Sequence, residues 1–342
     1  MTNQSATKFN PPWDKADWQS EVFDWIRTGL RKLGYSPAGG PQSIHARPWS
    51  TVLQVPTDQG NLYFKAGGPT QHFEPALLQL LSRHWPQETL PVLAVDAEKG
   101  WSLQPDGGQT LRQFVQGKAD FGIWREILQE YARLQMAAAQ WQSEIRACGV
   151  QVRGVDYLSK AYAEILTDPN LTIIGEGEGY LTPDQDQQLL ALTPRVHELF
   201  AELDSFKIPL SIEHGDLHDA NIFLHDDRFY YFDWGDASLT HPFFTLLIPL
   251  RHMADKLGVS EYADHADLIS LRDSYLGPWE QIISRDQLAR IWQLAHYLAK
   301  FVRTINWYRV VKVTVPNLGS QYQTSVAGWF LEFLNHPFES LS

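Results

Sequence analysis

Cysteine is almost missing from this chain: Cys148 is the only one in 342 residues. A single thiol excludes an intrachain disulfide and a multi-cysteine zinc site. That usage fits a reducing compartment, and a cytoplasmic location is the expectation. Long apolar runs are missing too. The most apolar stretch, Phe243 to Leu250, is too short to cross a bilayer and contains Pro249. The first residues, Met-Thr-Asn-Gln-Ser-Ala-Thr, lack the basic and apolar regions of a signal peptide, so no membrane partner is expected. Basic charge is in deficit, with 28 Lys and Arg against 40 Asp and Glu, a net charge of -12. Nucleic-acid backbones demand clustered basic residues, so they are excluded as the main partner. The acidic balance is compatible with a cationic substrate, although solubility alone favours it in many proteins. A glycine-rich nucleotide loop is also lacking. Gly175, Gly177 and Gly179 follow an apolar run, but Tyr180 stands where a dinucleotide fingerprint needs glycine, and no Gly-Lys-Ser/Thr follows. Glu176 and Glu178 would repel phosphate, which leaves a flexible connection.

What is abundant is aromatic: 13 Trp, 13 Tyr and 17 Phe, within 44% hydrophobic and 20% charged residues. This is a globular composition with large aromatic cores, and the length suits two lobes. Residues 1–12 read as a polar leader. Trp18, Val22, Trp25, Ile26, Leu30 and Leu33 recur at three- and four-residue steps, which predicts a helix over 13–33 that stops at Gly34. Three strands are predicted at 43–47, 50–55 and 61–66, the last two joined through Pro56 to Gly60. A helix over 73–85 follows, with Pro75 in its first turn. Strands at 90–94 and 100–104 come next, then Pro105-Asp106-Gly107-Gly108. Helical patterns follow over 122–141, 182–203 and 288–311, with a shorter one over 329–334.

The densest chemistry lies between His214 and Asp236: His-Gly-Asp-Leu-His-Asp-Ala-Asn, a short apolar run, then Phe-Asp-Trp-Gly-Asp. A turn at Asp226-Asp227 makes the apolar run a hairpin, which brings Asn221 and Asp233 back towards each other. If that amide and that carboxylate hold Mg²⁺ on a nucleotide, Asp216 is left free to orient an attacking hydroxyl. Phosphoryl transfer needs this division of labour, because the enzyme mainly positions reactants and neutralises charge. The spacing of Asp216 to Asn221, with Phe232-Asp233-Trp234-Gly235 beyond it, follows the protein-kinase pattern of Asp, four residues, Asn, and a later Asp-Phe-Gly. The full run resembles the aminoglycoside phosphotransferase and choline kinase family, small-molecule kinases with a protein-kinase-like fold.

The resemblance implies an α+β bilobal architecture. Residues 1–40 would be a leader and helix, and 41–107 a small nucleotide-binding lobe of about five antiparallel strands plus a helix. Residues 108–342 would form a larger, mainly helical lobe carrying the catalytic and acceptor sites. It implies Asp216 as the catalytic residue and Asn221 and Asp233 as Mg²⁺ ligands. Lys65 would grip the α/β-phosphates, with Glu74 as the available partner although it follows by only nine residues. Ser50 would offer a donor from the loop over the phosphates, around Arg47 to Thr51. Gln104 and Asp106 would face the base at the lobe junction. ATP or GTP would be the donor and a small-molecule hydroxyl the acceptor. His214 would be structural; His218 could hold the loop; Asp236 is left as either a second metal contact or an anchor. The acidic stretch from Asp255 to Asp273 is open between an acceptor-pocket lining and a solvated helix face. Two rivals use the same residues. Gly-Asp-Leu-His also fits a two-metal phosphoesterase, but no Asp-x-His precedes it within 200 residues, and Asn335-His336 stands alone. A nucleotide-binding pseudokinase is the second; the intact Lys, Asp, Asn, Asp set counts against it.

Overall fold

The computed structural model describes residues 8–314, 322, 324–336 and 338. Residues 1–7 of the expected leader lie outside the described residues. Helix α1 (Ala16–Leu33) carries Asp17 in its first turn and Arg31 and Lys32 in its last, which complements the helix dipole. Gly34 ends it in the left-handed region. Its apolar stripe buries Val22, Ile26 and Leu30 against one face of a five-stranded sheet. At about 1.5–3 kcal/mol for each fully buried aliphatic side chain, this stripe fixes α1 on the sheet. The helix starts three residues later than the periodicity suggested, because Pro11-Pro12 and Trp13 form a turn before it.

The sheet comprises β1 (Gln42–Ala46), β2 (Ser50–Thr57), β3 (Gly60–Gly67), β4 (Ala94–Asp96) and β5 (Trp101–Pro105), in the order β1-β2-β3-β5-β4. All its pairs are antiparallel. Alternation along β3 sends Leu62, Phe64 and Ala66 into the small core, so Lys65 points to the other face. Helix α2 (Glu74–His84) belongs to the larger core instead: Leu77, Leu78, Leu80 and Leu81 pack there. It therefore bridges the two cores, with its first residue turned towards Lys65.

Beyond β5 the chain crosses through Asp106 to Gly108 into β6 (Gln109–Thr110), which pairs with β9 (Ile222–His225). A Cβ on Gly107 would lie 2.3 Å from the Phe223 ring, so the crossing passes against β9 only because glycine stands there. The larger part is helical, with α3 (Leu111–Val115), α4 (Phe121–Ala138), α5 (Gln142–Ala147), α6 (Val155–Leu166), α7 (Pro183–Ala191) and α8 (Thr193–Ser205) before the motif. The single helix expected over 182–203 is two helices, because Pro194 cannot donate within a continuous helix and starts a new one in its first turn. After the motif come α9 (Leu247–Leu257), α10 (Ala266–Leu276), α11 (Arg285–Val313) and α12 (Ser325–Asn335). Helix α11, about 44 Å long at 1.5 Å per residue, buries Ile291, Leu294, Leu298, Phe301 and Ile305 in the large core. A short sheet of β7 (Gln151–Val152), β11 (Ser238–Thr240) and β8 (Ser211–Glu213), not anticipated from the sequence, supports the motif from below.

Candidate active site

The motif leaves β8 at Glu213 and turns sharply at Gly215, whose φ of 81° lies in the left-handed region. A Cβ there would sit 2.5 Å from the Asp236 carbonyl oxygen, so the turn also brings the two acidic elements into backbone contact. β9 and β10 (Arg228–Tyr231) form the expected hairpin, with His225 paired to Arg228. Asp226 and Asp227 both have positive φ, the signature of a type I′ turn. His214 ties the halves together: its Nε2 donates to the Phe232 carbonyl at 2.9 Å, and its Nδ1 accepts from the Asp216 N–H at 3.3 Å. Burial pushes its pKa down to about 4, so the ring is neutral and serves as a brace. His218 Nδ1 accepts from the Ala220 N–H at 3.1 Å, and Nε2 lies 3.5 Å from Asp216 Oδ2. Asn221 donates to the Asp216 carbonyl at 2.9 Å, which leaves its amide oxygen unused by that bond.

Lys65 bridges two carboxylates. Its Nζ lies 2.8 Å from Glu74 Oε1 and 2.5 Å from Asp233 Oδ1. Burial alone would lower its pKa, but Asp233 and Glu74 outweigh it and hold the ammonium charged. Glu74, only 3% exposed, is pushed up by burial and pulled back by Lys65. Asp233 has a left-handed φ of 62° and is held below the usual carboxylate range, Lys65 overcoming the effect of burial. The strained backbone directs it into a cavity of about 240 Å³ that Asp216, Asp233, Asp236 and Ser50 line together. Arg47 and Trp49, from the β1–β2 turn, and Ser50, which opens β2, line it from the sheet side. Glu74, Lys65 and Asn221 stand behind this wall; Gln104 and Asp106 lie at the lobe junction and do not line it. Asp106 Oδ1 accepts from the Gly108 N–H at 2.8 Å, which shapes the crossing.

Two residues of the site went unread in the sequence. Arg303 of α11 donates to Asp216 Oδ1 at 2.7 Å, to Asp236 Oδ2 at 3.1 Å and to the Gly215 carbonyl. Burial opposes ionisation of Asp216, but Arg303, with His218 and His214, holds its pKa well below the carboxylate range. Asp236 accepts from the same guanidinium, which links it to Asp216. The signal for Arg303 was a lone cation inside the apolar run from Phe301 to Ile305. Asp219 is fully buried and paired with Arg112 at 2.7 Å and His252 at 3.1 Å, which pins the loop to α3 and α9. The acidic stretch lines no part of this cavity. Glu261, Asp264 and Arg272 border a separate one of about 390 Å³ beside Trp292 and His296.

The donor set suits a hard cation carried on phosphates. Mg²⁺ takes oxygen ligands and retains several waters, so one carboxylate and one amide suffice. Asp233 is 47% exposed towards the cavity, and Asn221 keeps its amide oxygen. Among the described residues no group of three or more His, Cys, Asp and Glu is placed to hold a metal ion.

A sheet lysine paired with a helix glutamate, facing a looped Asp-Asn and hairpin Asp on a helical lobe, defines a protein-kinase-like phosphotransferase. Comparison with known proteins agrees: the profile of the phosphotransferase enzyme family APH matches residues 65–277, and the chain belongs to that family. It is a small-molecule kinase in class. Solved structures share the fold. A Plasmodium vivax ethanolamine kinase superposes with a TM-score of 0.60 at 11% identity, over 93% of this chain and 86% of its own. A choline kinase from Cryptosporidium parvum gives 0.58 at 12% identity, over 92% and 94%. The GDP complex of aminoglycoside 2′-phosphotransferase-IIIa gives 0.57 at 11% identity, over 92% and 98%. No curated protein sequence matches the chain significantly.

Proposed function

We propose that this chain transfers the γ-phosphate of ATP or GTP, as its Mg²⁺ complex, to a hydroxyl of a small molecule. The observation that carries the reading is the double pairing of Lys65 with Glu74 and Asp233, the latter lining one cavity together with Asp216. Glu74 orients Lys65 for the phosphates; Asn221 and Asp233 would hold the metal. Bound Mg²⁺ would neutralise charge on the phosphates and fix their geometry. Asp216, kept ionised, accepts the hydrogen bond of the acceptor hydroxyl and aligns its oxygen with the phosphorus. Ser50 and its turn would cover the phosphates, and Gln104 and Asp106 would receive the base. Residues 41–107 then form the nucleotide lobe, and 108–342 hold the catalytic and acceptor sites. The GDP in one structural neighbour supports a purine nucleotide donor. Ethanolamine and choline in the names of two others, with the net charge of -12, support a hydroxyl-bearing amine as acceptor.

The test is titration calorimetry with Mg·ATP and Mg·GTP, followed by transfer assays on ethanolamine, choline and kanamycin. Asp216→Asn should cut transfer by about 10²–10⁴-fold while nucleotide affinity stays put. Nucleotide affinity unchanged in the Lys65→Ala/Asp233→Ala double variant would sink the reading.

A further inference from the structure

We propose that Arg303 is a positioning residue for the transfer: it clips the two halves of the motif together and selects which oxygen of Asp216 meets the acceptor. This rests on the phosphotransferase reading above. The halves are separated by the β9–β10 hairpin; His214 and the Gly215 turn join them at the backbone, which leaves open how the side chains of Asp216 and Asp236 are held relative to each other. Arg303 fixes it from outside, 87 residues beyond Asp216. One guanidinium nitrogen holds Asp216 Oδ1 at 2.7 Å; the other holds Asp236 Oδ2 at 3.1 Å and the Gly215 carbonyl. A planar fork serves these acceptors from two nitrogens at fixed angles, whereas an ammonium offers three rotatable donors from a single point. With Oδ1 engaged, Asp216 presents Oδ2, the oxygen 3.5 Å from His218 Nε2, to the incoming hydroxyl.

The same helix builds the cavity wall. Arg303, Asn306, Trp307 and Val310 line it at three- and four-residue steps, one face of α11. An acceptor seated against this wall therefore rests on the element that aims Asp216. In the step itself the hydroxyl donates to Oδ2, its oxygen bonds to the γ-phosphorus, and the bond from that phosphorus to the β,γ-bridging oxygen breaks. The nucleoside diphosphate leaves with the electron pair; the hydroxyl proton passes to Oδ2 and then to solvent.

Arg303→Gln, Arg303→Lys and Asp236→Asn test this on the full chain. Release of ADP or GDP from Mg·ATP and Mg·GTP, with water and then ethanolamine as acceptor, gives kcat and nucleotide KM. Amide hydrogen exchange reports the loop directly. Arg303→Gln should lower kcat on the order of 10²-fold, the scale expected for misplacing a reacting group by about 1 Å. Nucleotide KM should stay within about threefold, Arg303→Lys should recover part of the loss, and exchange should quicken at 215–221 and 233–236 but not in β2 and β3. Wild-type kcat in Arg303→Gln would overturn the proposal. So would a loss shared equally by KM with faster exchange throughout the sheet, because that marks general destabilisation. If Arg303→Gln does not fold, Arg303→Lys and Asp236→Asn carry the same comparison. Should the unsubstituted chain release no phosphate and transfer none, the phosphotransferase reading falls; unaltered exchange in the variants would then overturn the clip by itself.

Discussion

Gly215 shows how little freedom the motif has at the level of a single residue. Its positive φ and its contact with the Asp236 carbonyl each exclude a side chain. Gly215→Ala should destabilise the protein by about 1–3 kcal/mol, the range for a residue forced into a sparsely populated backbone region. It should also slow transfer, since the clash lies between the two acidic elements. Urea denaturation beside a kcat measurement checks both, and a variant matching wild type in each would show that the turn can relax. Asp216, Asn221 and Asp233 stood out as candidates from residue type and spacing, because one short loop and hairpin carries all three, whereas Lys65, on β3, became a candidate only through the family resemblance. Glu74 was legible only as the single acid between Lys65 and Trp85; its 2.8 Å contact depends on how α2 sits on the large core.

At the scale of elements, the β1–β2 turn is held down on the helical lobe. The Trp49 ring lies edge-on to Trp307 at 5.7 Å and to Tyr322 at 5.0 Å, and Arg47 donates to the Tyr322 hydroxyl at 3.1 Å. The cavity beneath, about 240 Å³, falls below the roughly 300–1,000 Å³ of small-molecule sites. A nucleotide and an acceptor that occupied this cavity together would have to lift this turn. Two aromatic pairs contribute about 0.5–1.5 kcal/mol each beyond their buried area. Trp49→Ala should accordingly speed both nucleotide association and release, by about tenfold for release, in stopped-flow binding. Identical rates in the variant would show that the turn stays put during entry. The sequence placed this turn over the phosphates, yet Trp49 gave no sign of its partners, since Trp307 and Tyr322 are brought to it by tertiary packing alone. The break at Pro194 was the opposite case, a local signal overridden by the apolar periodicity on either side.

For the molecule as a whole, buried titratable groups set the response to acid. Burial lowers the pKa of His214 to about 4 and of His241 and His296 to about 3. Once unfolded, each takes up a proton near pH 6.5, so between about pH 6.5 and 4 the unfolded state binds more protons and stability falls on acidification. Glu213, raised to about 7 by burial, and Glu130, raised to about 6, work the other way, their contribution being lost as pH rises through those values. Burial also raises the carboxyls of Glu74, Glu88, Asp186 and Asp236, so the histidines and the buried carboxyls oppose one another through this range. Urea melts at pH 7.0 and 5.5 read the slope. His296→Phe should remove about 0.8 kcal/mol per pH unit of acid destabilisation between these two pH values, the share of one proton that an unfolded histidine takes up there; an unchanged slope would show that His296 already titrates normally. Among the described residues no helix is long and apolar enough to cross a membrane.

The sequence by itself determined the class of reaction and the two-lobe α+β plan. Phosphoryl transfer needs an Asp, an Asn and a second Asp on one loop and hairpin, and alternation or helical periodicity decides each element locally. Tertiary structure alone decided how those groups are held. Arg303, Asp219 with Arg112 and His252, and the Trp49 clasp join positions far apart in the chain. Their partners are chosen by the packing of α11, α3 and α9 around the loop, and no residue spacing encodes that geometry.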